Sequence, residues 1–512
     1  QLNSYYGTLA DANVFIDKVT IADAPVGVGV LPPEPALKSA TINWTASELG
    51  ESFQAYRVWR SPDANPNNGN DMAVGSVSNE ATPSFVDTGL SIGATYYYWV
   101  YVCDTNDIWT LSTNYVAVTT VPVVLPFADN YDDLSQWDVT GDWGIDLETG
   151  SLTDSPVGDY GNGLNITAKT AVNLSGTTRP VLRFSDWHRL AVNDYGYIEV
   201  SSPGRTTYRM YGVAGARTNW TDQVIDLSYY KGYANVQILF RLTTDANGTD
   251  EGWKIDDISV TDEGTPSLAV PLVDDYDNLD DWVETSHWAA VSGNAQDTIA
   301  LITPETHYYL TISGDLDLTT VNNPQLTAWV KGNLGYYSRF ALQVSANGGG
   351  DWSELWVRST ESGNFSNEWQ RIQVSLTPYK SGTFRMRWQL NSYYGTLAEA
   401  NVFIDKVTIA DAPVGVGLLP PVPALKSAQI NWTASALGDA FQSYRVLRSP
   451  DTSPFNGNDV VAGVVSNEAT SSFVDSGLSI GATYYYWVYL SDTNDIWTIS
   501  TNYVSVTTVP VV

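Results

Sequence analysis

The run GATYYYWVYV at residues 93–102 places Tyr96, Tyr98, Val100 and Val102 on one side of an extended backbone and Tyr97, Trp99 and Tyr101 on the other. Aromatic and β-branched side chains in period-two order fit a pleated sheet, so the stretch predicts a β-strand with one face in a core. The same run returns as GATYYYWVYL at 481–490. Working outward from both, residues 1–124 recur as 389–512 without insertion or deletion, at an offset of 388, with roughly 100 of the 124 positions identical. Self-similarity at a fixed period is the signature of an array. Residues 125–512 therefore read as one full repeat and 1–124 as the tail of the repeat before it. The chain opens at Gln1 inside strand-like sequence, and the expectation is a window of a longer, tandemly repeated polypeptide.

Composition extends the same reading to the whole chain. Its 512 residues include 31 Tyr, 19 Trp and 40 Gly against 3 Met, 3 His and 1 Cys, and helical Ala/Leu/Glu/Lys stretches are missing. The fold class expected is all-β, a string of β-sandwich domains with a 388-residue repeat. Cys103 is replaced by Ser491 in the copy, so packing and not disulfides must hold each domain. With 57 acidic against 25 basic residues the formal charge is −32. Such a chain repels phosphate backbones and anionic lipid, which argues against nucleic acid and membrane surfaces and in favour of divalent cations as partners. No apolar run reaches the roughly 18 residues of a membrane span.

Pro-rich joints at 24–36, 119–127, 263–272 and 412–424 punctuate the chain, and fixed φ makes them semi-rigid. They divide it into 1–24, 25–124, 125–265, 266–412 and 413–512. Segment 25–124, with its near-copy 413–512, carries SATINWTAS, AYRVWRSPD and then GATYYYWVYV in that order, and on these it resembles a fibronectin type III domain. SATINWTAS carries Trp44, and Tyr96 stands where that family places its tyrosine-corner residue, whose hydroxyl bonds nearby backbone. Segments 125–265 and 266–412 resemble each other: PFADNYDDLSQWDVTGDW matches PLVDDYDNLDDWVETSHW, YIEVSS at 197–202 matches ALQVSA at 341–346, and WKIDDISV at 253–260 matches VFIDKVTI at 402–409. This order resembles the MAM-type jelly rolls and the accessory modules of immune-inhibitor-like metalloproteases. The middle element is Val344, Ser345, Gly348 to Gly350 and Trp352; the closing one is Trp253, Ile255, Asp256 and Asp257. Residues 1–24 read as the closing strands of a truncated jelly roll, able to complete a neighbouring chain if the start were a processing site.

Three candidate sites stand out. The outward stripe Tyr97, Trp99 and Tyr101, with Trp59 on the neighbouring strand, and its copy Tyr485, Trp487, Tyr489 and Leu447, is read as an interface or ligand surface. Packing against an adjacent domain or chain is favoured over a sugar-stacking platform, because Trp59 becomes Leu447; cover by loops of the same domain is the plainer alternative. The oxygen-rich loop from Asp63 to Asp71 lacks the register and bidentate Glu of an EF-hand and loses ligands in its copy, so it reads as a solvated turn. Asp129, Asp132, Asp256 and Asp257 in one jelly roll, and Asp274 and Asp277 in the other, are candidate ligands of a structural Ca²⁺, as the jelly-roll resemblance implies; no cofactor is otherwise required. The alternative is that these acids keep sheet edges soluble.

Catalytic chemistry finds no motif. His188, His287 and His307 are isolated in sequence, and zinc-helix, nucleophile-elbow and phosphate-loop patterns are missing. Seven Asn-x-Ser/Thr sequons leave glycosylation open. The expected function is a structural segment of a giant extracellular surface or filament-forming protein, bacterial or archaeal, whose partners are copies of itself or neighbouring repeats. An adhesin or array binding surface glycans through multivalent contacts is the alternative.

Overall fold

The computed structural model describes residues 19, 21–66, 68–284, 287–298, 302–359, 367–392, 400–454 and 457–509. The expectation that 1–24 are closing strands falls outside this set except for residues 19 and 21–24. Two compact units divide the chain, 1–123 with 136–138, and 124–135 with 139–512.

In the first unit, one sheet joins Glu34–Pro35, Ser39–Asn43 and Ser84–Thr88. The facing sheet orders Met72–Val77, Phe53–Ser61, Thr95–Asp104 and Trp109–Leu111, with Val116–Thr119 also on Thr95–Asp104. All these pairings are antiparallel. The inward half of the 93–102 run behaves as its alternation predicts: Tyr98, Val100 and Val102 are fully buried with Trp44 and Tyr56. Trp44 meets Tyr56 edge-on at 5.1 Å. The Tyr96 hydroxyl accepts the Ser91 N–H at 3.1 Å, the backbone bond expected of a tyrosine corner. A polar latch ties the sheets through the core, because Asp87 on one accepts from the Tyr98 hydroxyl at 2.8 Å and from Arg60 at 2.9 Å on the other. Asp475, Tyr486 and Arg448 repeat it.

The second unit holds three sandwiches, here the second, third and fourth. In the second, one sheet orders Gly144–Ile145, Leu152–Thr153, Gly252–Asp262, Pro180–Arg189 and Ala216–Asp226, with Phe127–Asp129 also on Gly252–Asp262. The other contains Asn165–Asn173, Val236–Thr243, Tyr195–Ser201 and Tyr208–Val213. Val236–Thr243 (VQILFRLT) buries Val236, Ile238, Phe240 and Leu242 and leaves the residues between them partly exposed, so a one-residue slip would turn the core outward. The third sandwich repeats this order with Trp288–Ala290, Ala295–Asp297, Ala400–Asp411, Pro324–Leu334 and Gln370–Ser375 in one sheet. Its other sheet is Trp282–Glu284, His307–Ile312, Arg385–Ser392, Ser338–Ser345 and Ser353–Ser359. The fourth repeats the first, with Leu418–Pro423, Ser427–Trp432 and Ser472–Ser476 facing Val460–Val465, Phe441–Ser449, Thr483–Asp492 and Trp497–Ile499.

One buried acid makes the second sandwich sensitive to pH. Asp154 is fully enclosed, accepts the Trp253 N–H at 3.2 and 3.3 Å, and accepts the Ser155 hydroxyl at 2.9 Å. Burial outweighs these donors and pushes its carboxyl up to about 7. An unfolded Asp titrates near ~3.9. Between those values the folded state holds the extra proton, so folding stability falls as pH rises from about 4 to about 7. Asp154→Asn removes that loss. Its melting temperature is expected to gain on the wild type across this window by calorimetry; curves that stay parallel contradict the assignment.

Candidate functional site

The central ring of the outward aromatic stripe is covered by its own domain, while Trp59, Tyr97 and Tyr101 stay half-buried and, in the copy, Tyr489 lines a cavity with Arg371 and Gln373 of the third sandwich. Tyr115, on the segment entering Val116–Thr119, lies 5.5 Å from Trp99 and 5.9 Å from Tyr97, and Trp99 is only 3% exposed. Trp59 leans on Tyr101 at 6.0 Å. In the copy, Tyr503 covers Trp487 at 5.5 Å and Tyr485 at 6.0 Å, leaving Trp487 4% and Leu447 9% exposed. The large exposed rings on this face are Tyr115 and Tyr503. Cover by the same domain, the plainer alternative, is what Trp99 shows, but alternation along one strand does not name the covering residue, Tyr115.

The candidate Ca²⁺ acids are engaged in backbone geometry. The Asp129 and Asp274 carboxylates accept the N–H groups of Tyr131 (2.8 Å) and Tyr276 (2.7 Å), holding those tyrosines at φ 57° and 54° with their rings buried. Asp274 also accepts the Trp282 indole at 2.7 Å. Asp257 and Lys406, at φ 51° and 44°, are the matching bulge residues of the two closing strands, where the partner strand shifts register. Asp256 accepts the Asp257 N–H at 2.9 Å, and burial, then the neighbouring Asp257 charge, raises its carboxyl. Asp132 accepts from Asn130, and Asp277 lies beside Gly293. Among the described residues, no three His, Cys, Asp or Glu side chains gather as a metal site. In the Asp63 loop, amides of Asn65, Asn68 and Asn70 donate to the Asp63 carboxylate and draw its titration downward, a cross-linked turn.

The three histidines, scattered in sequence, sit where the second and third sandwiches meet. His287 stacks on Tyr211 at 5.2 Å and meets Tyr308 edge-on at 4.5 Å. His307 packs against Tyr208 at 5.3 Å. His188 is 6% exposed and lines, with His287 and Arg217, a cleft of about 360 Å³. Burial, then nearby cations, lowers His287 well below its usual range and His307 to about 4, so both rings are neutral packing elements at neutral pH. Around them, fully buried Arg385 reaches Asp315 at 2.5 Å within its own sandwich, Ser228 at 3.2 Å in the other and Thr265 at 2.8 Å in the linker. Lys231 donates to the carbonyls of Asn347 and Gly348 at 2.8 and 2.6 Å, and Arg205 pairs with Asp351 at 2.7 Å.

A second joint seats the fourth sandwich on the third. Arg371 and Gln373 share one face of Gln370–Ser375, as alternation requires. The Gln373 carboxamide donates to the Trp497 carbonyl at 2.7 Å and accepts the Trp497 N–H at 3.2 Å, as a neighbouring strand would. Arg371 donates to the Asp495 carboxylate at 3.3 Å and to the Asp495 carbonyl, and its other partner is Gln373 at 2.8 Å. Ile496 is fully buried against Ala410 and Ala412 of the third sandwich. The Trp497 indole donates to Asp495 at 3.0 Å while Arg445 stacks on its ring at 4.1 Å. Nothing in the spacing of Arg371 and Gln373 identified them beforehand, because their partners lie 124 residues away.

No known family profile matches the chain. A stretch of 133 residues is 33% identical to bacillopeptidase F of Bacillus subtilis (strain 168), covering 24% of this chain and 9% of that protein. The fibronectin type III domain of human fibronectin type III domain containing protein 3 is 16% identical over 20% of this chain and 91% of its own, with a TM-score of 0.16. The N-terminal CBM22-1-CBM22-2 tandem domain of Paenibacillus barcinonensis Xyn10C is 10% identical over 56% of this chain and 97% of its own, with a TM-score of 0.20. Superpositions this poor carry no weight, and the sandwiches rest on their strand pairing.

Gln373→Leu leaves the Trp497 N–H and carbonyl without their protein partners in a half-buried joint, a loss of about 1 kcal/mol. Exchange at the Trp497 amide is expected to speed up severalfold, with the Trp109 amide unchanged; unchanged Trp497 exchange contradicts the joint. Ca²⁺ and EDTA are expected to leave the melting temperature unmoved. An ion at 100 times its Kd would add about 2.7 kcal/mol, and such a rise would assign these acids to a metal.

Proposed function

We propose that this stretch is a structural segment of a giant extracellular tandem-repeat protein, in which β-sandwiches are locked to one another and not strung on free linkers. The Arg371–Gln373 joint carries this reading, because it spends specific side chains on fixing one sandwich against the next. Buried Arg385 at the other joint supports it, since an enclosed guanidinium is stable only with its partners in place. The acids and histidines that could have suggested chemistry serve turns, bulges and packing. The acidic surface suits a soluble array outside the cell, and no described helix is long and apolar enough to cross a membrane. The stretch shared with bacillopeptidase F is read as a common sandwich module and not as catalytic apparatus. Self-contacts between repeats are preferred to glycans as partners, since Trp99 and Trp487 offer no open ring for sugar stacking.

Cryo-electron imaging of the native material tests this. Continuous filaments with density running from sandwich to sandwich are expected. Dispersed chains that bind polysaccharide through this segment would overturn the reading in favour of a glycan-binding array.

A further inference from the structure

The chain contains its own control for the second joint. The loop and strand that dock on the third sandwich, Asp495, Ile496 and Trp497, recur as Asp107, Ile108 and Trp109 in the first. Their geometry is prebuilt in both. Asp107 and Asp495 stand at φ 64° and 58°. Each indole donates to its Asp, at 3.3 and 3.0 Å, and each ring carries an arginine, Arg57 at 4.3 Å and Arg445 at 4.1 Å. What differs is cover. Ile496 is fully buried, whereas Ile108 is partly exposed; Asp107 is exposed, whereas Asp495 is half-buried against Arg371. Among the described residues no guanidinium reaches Asp107 and no carboxamide pairs with the Trp109 backbone.

We propose that the Asp107–Ile108–Trp109 face of the first sandwich is a docking surface for a further sandwich of the 266–412 kind, which presents an arginine and a glutamine two residues apart on its edge strand. Charge complementarity selects that occupant: the open face offers a carboxylate, an apolar side chain and a strand-like N–H and carbonyl. The edge at 371–373 supplies the guanidinium and carboxamide that match them in the seated copy. The joint thus repeats once per 388 residues, and every sandwich of the first kind is a plug for one of the third kind. The proposal rests on the structural reading above and names the surface through which its repeats engage.

The full chain tests it, because one copy's edge can be freed for another's plug. Ile496→Arg places a cation against Arg371 and opens the chain's own joint, leaving the 371–373 edge vacant; Ile496 lies outside the fourth sandwich's own core cluster. Faster exchange at the Trp497 amide, with an unchanged circular dichroism spectrum, reports the opening. The variant is expected to self-associate head to tail in sedimentation runs up to about 0.2 mM, since the lost joint was a tethered contact of higher effective concentration. Adding Ile108→Arg should return it to monomer. An opened chain that stays monomeric overturns the proposal, as does association that survives Ile108→Arg. A Trp497 amide that stays protected in Ile496→Arg also overturns it, because Ile496 would then not seat the joint. None of these results bears on filaments or glycans in the native material, so the two readings fail separately.

Discussion

One carboxamide acting as a strand governs how the third and fourth sandwiches are joined. Gln373 pairs with both backbone groups of Trp497, and Arg371 beside it fixes the preceding turn. Each contact alone is modest, since an exposed ion pair contributes about 0–1 kcal/mol and a hydrogen bond about 1 kcal/mol. Their effect comes from acting together beside an apolar centre, Ile496 buried on Ala410 and Ala412. Truncating any one partner strands the others.

The other joint reaches the same end by different chemistry. There, neutral histidines and tyrosines fill the interior while cations bridge the rim, and Arg387 lies between Tyr309 at 4.0 Å and Trp352 at 4.1 Å. In a chain with a formal charge of −32, several of the 25 cations stand where sandwiches meet. Lys231, Arg205, Arg371 and Arg385 all serve joints.

Local periodicity made the all-β class legible, and it did so residue by residue. Tyr98, Val100 and Val102 were assigned inward from alternation alone and are core, and Tyr96 found its backbone partner at Ser91. Trp99 was placed on the outer face, where Tyr115 then covers it, because period two fixes a side and says nothing of what packs there. Asp129, Asp274 and Asp257 read as candidate ligands because they are oxygen-rich and clustered, and the structure gives them backbone roles as well. Turn capping and a positive φ at a bulge select the same residue type, so composition cannot separate the two uses. The joints were the least legible of all. Arg371 and Gln373 are ordinary strand residues until a partner from a distant part of the chain arrives, and no local pattern encodes that arrival.

The central claim is that the third and fourth sandwiches are held as one body by side chains and not by their linker. Pulsed dipolar spectroscopy between spin labels at Lys380→Cys and Ser466→Cys, in a Cys103→Ser background, measures this directly. A single narrow distance distribution that broadens on Gln373→Leu is the result the account predicts. A broad distribution in the otherwise unaltered chain, as two sandwiches on a free tether would give, contradicts it.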